Sequence, residues 1–120
     1  MKTTSSLIAL AAITSTSAFA AENTLTIYTY DSFAADWGPG PKLEQAFEAK
    51  CGCDVNFVAL DDGVSILNRL RLEGSNSKAD IVLGLDNNLM VEAQKTGLLT
   101  EHKVDTSKTI LPTGWDDKTF

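Results

Sequence analysis

The stretch DIVLGL, residues 80–85, decides the fold class. Its apolar residues follow one another almost without interruption, whereas a strand with one face in water alternates apolar and polar residues. A continuous apolar run of this length is typical of a parallel strand that helices cover on both faces. The sequence therefore predicts a parallel sheet in which this stretch is one strand.

Two further strands precede this stretch, and a helical pattern follows each of the three. LTIYTY (25–30) and DVNFVAL (54–60) are short, rich in β-branched or aromatic residues, and bounded by turn formers. The helical patterns start at Pro41, Gly63 and Asn88. The order β-α-β-α-β-α predicts an α/β fold in which helices cover a parallel sheet.

Apolar residues at helical spacing mark the face that each of the first two helices should bury. They are Leu43, Ala46 and Phe47 in the first helix, and Gly63, Ile66, Leu67 and Leu70 in the second.

The ends of these helices carry recognisable start and stop signals. Pro41 suits the first helical position, and Asn88 is expected to cap the third helix. Gly74 and Gly97 are expected to end the second and third helices.

The loop DSFAADWGPG (31–40) is unusually long and carries side chains suited to binding. It runs to about ten residues, where connections in α/β units usually need two to six, and it contains a Phe, a Trp and two Asp residues. With a strand order of 2-1-3, this loop follows the first strand at the topological switch point, where ligands bind outside the carboxyl ends of strands. The loops DDG (61–63) and DNN (86–88) would lie at the same edge.

Residues 1–20 have the pattern of a secretory signal peptide. Lys2 precedes the apolar block LIALAAI (7–13), and small residues at Ala18 and Ala20 stand just before the expected cleavage point. The apolar block is far shorter than the roughly 20 residues of a membrane-spanning helix. We therefore expect cleavage after Ala20, export to the periplasm, and a mature segment 21–120 that forms a single domain at most.

The mature segment is acidic. Removal of residues 1–20 takes away Lys2 and no acidic residue, so the formal charge of −6 becomes −7. A basic face that neutralises phosphates is the usual basis of nucleic-acid binding, so nucleic acid is not an expected partner.

Three stretches together resemble one protein family. They are LTIYTYDSFAADWGPGP (25–41), VALDDGVSILNRLRLEGSNSKADIVLGLDNNL (58–89) and ILPTGWDDKTF (110–120), and they resemble the periplasmic thiamine-binding proteins of bacterial ABC importers. The resemblance implies a two-lobed, type II solute-binding fold, of which residues 21–120 are an incomplete part of the amino-terminal lobe. It also implies a receptor without enzymatic activity or cofactor, which captures thiamine and its phosphates and delivers them to an inner-membrane permease.

The resemblance implies that Asp62 and Gly63 contact the ligand, because the family has an Asp-Gly pair that matches them. Thiamine carries a cationic thiazolium ring and a flat aminopyrimidine, which aromatic faces and carboxylates can recognise. The alternative for Asp62 is a purely structural role as the N-cap of the second helix.

Four further residues at the predicted carboxyl edge are candidate ligand contacts: Tyr30, Asp31, Trp37 and Asp86. Each has a structural alternative. Tyr30 could belong to the core, Trp37 could be an apolar plug that holds the long loop down, and Asp86 could cap a helix.

Cys51 and Cys53 form a CxC pair just before the second strand. Two thiols with only His102 to assist them fall short of the usual four-ligand zinc site, so no metal site is expected. Export favours oxidation, and Gly52 permits a turn, whereas extended backbone would hold the two cysteines near the outer limit for a bridge. A disulfide and two free thiols are both left open.

Two other functions fit the same fold. A cysteine-type thiaminase-like transferase would need its nucleophile in the cleft beside an acid or base, whereas this CxC pair lies at the start of a strand, remote from its carboxyl end. A receptor for ferric ion or another small solute would need clustered oxygen or nitrogen ligands, whereas the carboxylates here are spread over several loops.

Overall fold

The computed structural model describes residues 23–110. The predicted signal peptide and its cleavage point lie outside the described residues, as does all but the first residue of the stretch ILPTGWDDKTF.

The described chain is a three-stranded parallel sheet with helices in the connections. The strands are β1 (Thr24–Tyr30), β2 (Asp54–Leu60) and β3 (Ile81–Val82); the helices are α1 (Asp31–Ala34), α2 (Gly40–Cys51), α3 (Gly63–Glu73) and α4 (Met90–Lys95), with a 3₁₀ turn at Gly74–Asn76. The strand order is β2-β1-β3, and both pairings are parallel. The predicted α/β class and strand order are therefore confirmed.

The register aligns the carboxyl ends of the strands. Tyr30 of β1 pairs with Leu60 of β2, and Tyr28 of β1 pairs with Val82 of β3. All three following loops therefore start at the same edge of the sheet, which is called the carboxyl edge below.

β3 is shorter than the predicted strand 80–85. The Asp80 amide donates to the Thr26 carbonyl (2.9 Å), and the Leu83 amide donates to the Tyr28 carbonyl (2.9 Å), so hydrogen bonds to β1 extend slightly beyond Ile81–Val82. The pairing then stops because Gly84 adopts a φ of +113°, which turns the backbone away from the sheet.

The α3 side of the sheet holds the core. Tyr28, Ile66 and Leu70 form its buried centre, as the helical spacing of the second helix predicts. The Tyr28 hydroxyl donates to Glu73 Oε2 (2.8 Å), and Arg69 Nε donates to Glu73 Oε1 (2.8 Å). The Arg69 guanidinium also lies 4.6 Å from the centre of the Tyr28 ring, so polar and cation–π contacts close the end of the core.

The α2 side of the sheet is open. Leu43 and Phe47 are 55% and 46% exposed, so the prediction that the first helix buries this face is wrong within the described residues. A groove of about 240 Å³ lies between α2 and the sheet, lined mainly by apolar side chains that include Leu25, Ile27, Val55 and Phe57. A hydrogen bond from the Val55 amide to Glu48 Oε1 (2.8 Å) ties α2 to β2.

The long first connection is compact. Asp31–Ala34 form one helical turn, and the Gly38 amide then donates to the Ala35 carbonyl (2.7 Å). A Cβ on Gly38 would collide with the Ser32 carbonyl, so the close return of the chain needs a glycine there. Among residues 23–110, no helix is long and apolar enough to cross a membrane.

Candidate functional site

The end of β1 and the start of α3 meet the loop after β3 at Gly84. A Cβ built on Gly63 would lie 2.6 Å from the Gly84 carbonyl oxygen, so the start of α3 packs directly on the loop after β3. A Cβ on Gly84 would lie 2.5 Å from Cδ1 of Tyr30, so the Tyr30 ring rests on the Gly84 backbone. Sequence reasoning did not single out Gly84, although an isolated glycine in a strand pattern is a signal of close backbone approach.

Asp62 caps α3. Its backbone is extended (φ −159°), and its Oδ1 accepts the Ser65 amide at 2.7 Å. The hydrogen bonds from Ser65 and Val64 lower the pKa of Asp62 below its ordinary value. The structural alternative therefore describes what Asp62 does locally, and the same residue places an exposed, anionic carboxylate at the carboxyl edge.

An aromatic row runs across this edge. The Tyr30 and Phe33 rings meet edge to face with centroids 6.0 Å apart, and Phe33 meets Phe57 in the same way at 5.8 Å. Tyr30 is half-buried, so it contributes to packing and still presents part of its surface at the edge. Phe33 and Phe57 were not predicted as part of this arrangement, because their contact depends on the fold of α1 against β2.

Trp37 and Asp31 are both exposed. Trp37, between α1 and α2, is 79% exposed, so the alternative that it plugs the loop is wrong within the described structure. Asp31 opens α1, where its carbonyl accepts the Ala35 amide at 2.9 Å. An indole ring and a carboxylate are thus displayed on the connection that leaves the carboxyl end of β1.

Asp86 has a structural role in the loop after β3. Its Oδ1 accepts the amides of Asn88 (3.0 Å) and Leu89 (3.2 Å), while its Oδ2 accepts the Asn88 side-chain amide (3.2 Å). Both carboxylate oxygens are thereby engaged in the turn that leads into α4. The predicted cap at Asn88 is wrong, because Asn88 donates to Asp86 and Leu89 occupies the N-cap position.

Cys51 and Cys53 are joined by a disulfide at the opposite edge of the sheet. Gly52 adopts a left-handed φ of +62°, which brings the two Cα atoms to 5.2 Å. β2 has seven residues, which puts roughly 23 Å of strand between the disulfide and the carboxyl edge. Within the described part of the chain, no group of three or more His, Cys, Asp or Glu side chains could hold a metal ion.

Comparison with known proteins identifies clear relatives, although no protein-family model matches the chain. The thiamine-binding periplasmic protein of Escherichia coli (strain K12) is 61% identical over 100 residues, which are 83% of this chain and 31% of that protein. A solved structure described as a periplasmic thiamin binding protein superposes with a TM-score of 0.75 at 60% identity, covering 81% of this chain and 30% of that one.

A second solved structure shares the fold at greater distance. The ferric binding protein from Campylobacter jejuni gives a TM-score of 0.61 at 32% identity, covering 79% of this chain and 28% of that one. The resemblance found in the sequence is confirmed: this chain is similar in sequence and fold to periplasmic thiamine-binding proteins of the type II solute-binding class, and it spans less than a third of the length of the E. coli relative.

Proposed function

We propose that this chain is part of the periplasmic solute-binding component of an ABC importer that captures thiamine and its phosphates. The observation that carries the proposal is the 60% identity to a periplasmic thiamin binding protein of the same fold, against 32% to a ferric binding protein. This difference favours thiamine over ferric ion as the solute. The relatives are named periplasmic, in agreement with the predicted localisation.

The carboxyl edge offers the two kinds of group that thiamine recognition needs. Trp37 presents an exposed aromatic ring, and a ring face attracts an organic cation such as thiazolium by about 0.5–2 kcal/mol. Asp62 presents an exposed carboxylate with a lowered pKa, which can accept from the aminopyrimidine or lie near the thiazolium charge. Gly63 and Gly84 keep the strand ends close together without side chains of their own.

The role is that of a receptor without catalysis. A thiaminase-like transferase would need a thiolate at the ligand, whereas Cys51 and Cys53 are bonded to each other at the edge opposite Asp62. Because the chain spans only 31% of its E. coli relative, the remaining contacts, closure of a second lobe and delivery to the permease all depend on a longer protein.

The proposal is tested with a chimaera in which residues 23–110 replace the matching segment of the E. coli relative. Titration calorimetry with thiamine should detect binding without turnover. Asp62→Asn should weaken binding at least about tenfold, equivalent to about 1.4 kcal/mol, and Trp37→Leu should also weaken it.

Asp105→Asn is the matched control. Asp105 is another exposed carboxylate that accepts a serine amide, that of Ser107 at 3.0 Å, and its pKa is likewise lowered. Its neighbour Val104 lines a cavity with Asp80 and Ile81 at the start of β3, away from the carboxyl edge, so replacement of Asp105 should leave binding unchanged. Failure of a folded chimaera to bind thiamine, or release of a cleaved pyrimidine, would contradict the proposal.

A further inference from the structure

We propose that the Cys51–Cys53 disulfide is a thiol–disulfide exchange site that reacts with dithiols while the chain stays folded. The site goes beyond the proposed solute binding, since it lies at the edge of the sheet opposite Asp62 and Trp37. Its ligand class is a dithiol, which the disulfide oxidises as it is itself reduced.

The disulfide is open to an incoming thiolate. Cys51 is exposed and Cys53 is half-buried, and a Cβ on Gly52 would meet nothing within 4 Å. Both cysteines line a surface cavity of about 270 Å³, which Leu25 and Phe47 also line. Access is one of the factors that set the rate of exchange, and it is what a buried structural disulfide lacks.

The fold depends little on this bond. A bridge across a single residue closes the smallest of loops, so it removes little entropy from the unfolded chain. By linkage, the folded state then stabilises the bond only slightly against reduction.

Other contacts hold the joint between α2 and β2. The Gly52 amide donates to the Glu48 carbonyl (3.0 Å), and the Val55 amide donates to Glu48 Oε1 (2.8 Å). The Asp54 amide donates to the Asn23 carbonyl (3.0 Å) and so ties the start of β2 to the residue before β1. None of these hydrogen bonds needs the disulfide.

The two sulfurs of the disulfide differ in their electrostatic surroundings and in their exposure. Cys51 is the last residue of α2, where the negative end of the helix dipole disfavours a thiolate, but its Sγ also accepts the Cys53 amide at 3.2 Å, which favours one. Access therefore decides between them: the more exposed Cys51 is the sulfur that is attacked, and Cys53 is the leaving group.

The exchange proceeds in two balanced steps. A thiolate of the dithiol bonds to Cys51 Sγ as the Cys51–Cys53 bond breaks, and Cys53 leaves as a thiolate that takes up a proton. The second thiol of the reductant, as its thiolate, then attacks the reductant's own sulfur in the mixed disulfide. Cys51 is released and protonated, and the dithiol becomes a cyclic disulfide.

The first test is reduction of the full chain, obtained by export, with dithiothreitol. Free thiols are counted by alkylation and mass spectrometry, and folding is followed by circular dichroism. Reduction should be complete with an unchanged spectrum, at a rate within about tenfold of that in denaturant, because access is similar in both states. Resistance to reduction until the chain unfolds, or unfolding upon reduction, would overturn the proposal.

The second test uses two single variants and an activated aromatic disulfide as the probe. Cys53→Ser leaves Cys51 as the sole thiol and Cys51→Ser leaves Cys53. The Cys51 thiol should form the mixed disulfide faster, because Cys51 is exposed whereas Cys53 is half-buried. Both variants are first checked for the spectrum of the oxidised chain. Equal or inverted rates in folded variants would overturn the assignment of Cys53 as the leaving group.

Discussion

The two sides of the sheet carry helices of similar length and bury them to very different degrees. On the α3 side, Ile66 is fully buried and Leu70 is 3% exposed. On the α2 side, Leu43 and Phe47 remain about half exposed, although their spacing along the helix is just as regular. A helical apolar pattern therefore shows which face of a helix should be covered, and the tertiary structure decides whether that face is covered.

The difference arises from what each helix meets. α3 packs on Tyr28, whose hydroxyl is bound by Glu73 of the same helix, so apolar and polar contacts reinforce one another. α2 is tied to β2 mainly at its carboxyl end, through Glu48 and the disulfide turn, and a groove separates its apolar face from Ile27 and Phe57.

The largest loss of stability is expected from a substitution at the centre of the α3 side. Ile66→Ala removes a fully buried side chain and should lower the free energy of unfolding by about 4 kcal/mol, since lost burial and the residual cavity both contribute. Leu72→Ala on the same helix is the control: Leu72 is 89% exposed, so its replacement should change the stability by at most about 0.5 kcal/mol. Urea unfolding measures the free energy of unfolding of the two variants. Similar losses of stability in both would contradict the prediction.

Gly84→Ala tests whether the tight packing of the α3 side continues to the carboxyl edge. The substitution should destabilise the chain by about 3 kcal/mol, because strain at φ +113° adds to the collision of the new Cβ with the Tyr30 ring. Gly97→Ala also has a positive φ (+65°), but nothing lies within 4 Å, so it should cost about 1 kcal/mol. Thermal unfolding should therefore rank the two variants in that order, and equal losses would show that the contact with Tyr30 is unimportant.

The hydrogen bonds of Glu73 at the end of the core predict that the free energy of unfolding depends on pH. The hydrogen bond from Arg69, followed by that from Tyr28, holds the pKa of Glu73 below its ordinary value of 4.5. The stability that Glu73 contributes is therefore complete above about pH 4.5 and is lost as the pH falls through the lower native pKa.

Glu73→Gln should cost about 1 kcal/mol near pH 7 and should remove this part of the acid dependence, as urea unfolding at several pH values can measure. Glu92→Gln is the control, since Glu92 pairs with Arg71 and Lys95 on the surface with about half of its side chain exposed. Its replacement should have the smaller effect. An unchanged acid profile in Glu73→Gln would contradict the role of this carboxylate.

Replacing the buried residue Thr29 should raise the stability of the chain, whereas replacing other buried residues lowers it. It is fully buried on the face of β1 opposite Tyr28, and its Oγ1 has no hydrogen-bond partner among the described residues. Thr29→Val keeps the shape and removes the unpaired hydroxyl, so it should stabilise the chain by about 1 kcal/mol. Thr96→Val should destabilise it instead, because Thr96 Oγ1 donates to the Ala93 carbonyl at 2.6 Å. A loss of stability in Thr29→Val would indicate that the hydroxyl is paired.

The smallest change in stability is expected from a substitution on the open α2 side. Phe47→Ala should cost at most about 1 kcal/mol, because nearly half of the Phe47 side chain already lies in water. A cost as large as that of Ile66→Ala would show that this face is covered in solution. Calorimetric unfolding combined with sedimentation at several concentrations distinguishes cover within the chain from cover by another copy.

The candidate site was partly predictable from local sequence. The Asp62 cap, the start of α3 at Gly63 and the placement of three loops at one edge follow from capping chemistry and from the order of strands and helices. The roles of Asp86 and Asn88 were harder to assign, because either residue could accept the amides of that turn. Only the backbone geometry shows that Asp86 does so.

The sequence alone determined the α/β class, the boundaries of β2, the face that α3 buries and the resemblance to periplasmic thiamine-binding proteins. These properties depend on residues close together in the chain, whose spacing and capping act locally. Only the tertiary structure decided that β3 stops at Gly84, that Trp37 is exposed, and that α2 leaves its apolar face open. Each of these depends on contacts between residues far apart in the chain, and a local pattern cannot specify whether such a partner is present.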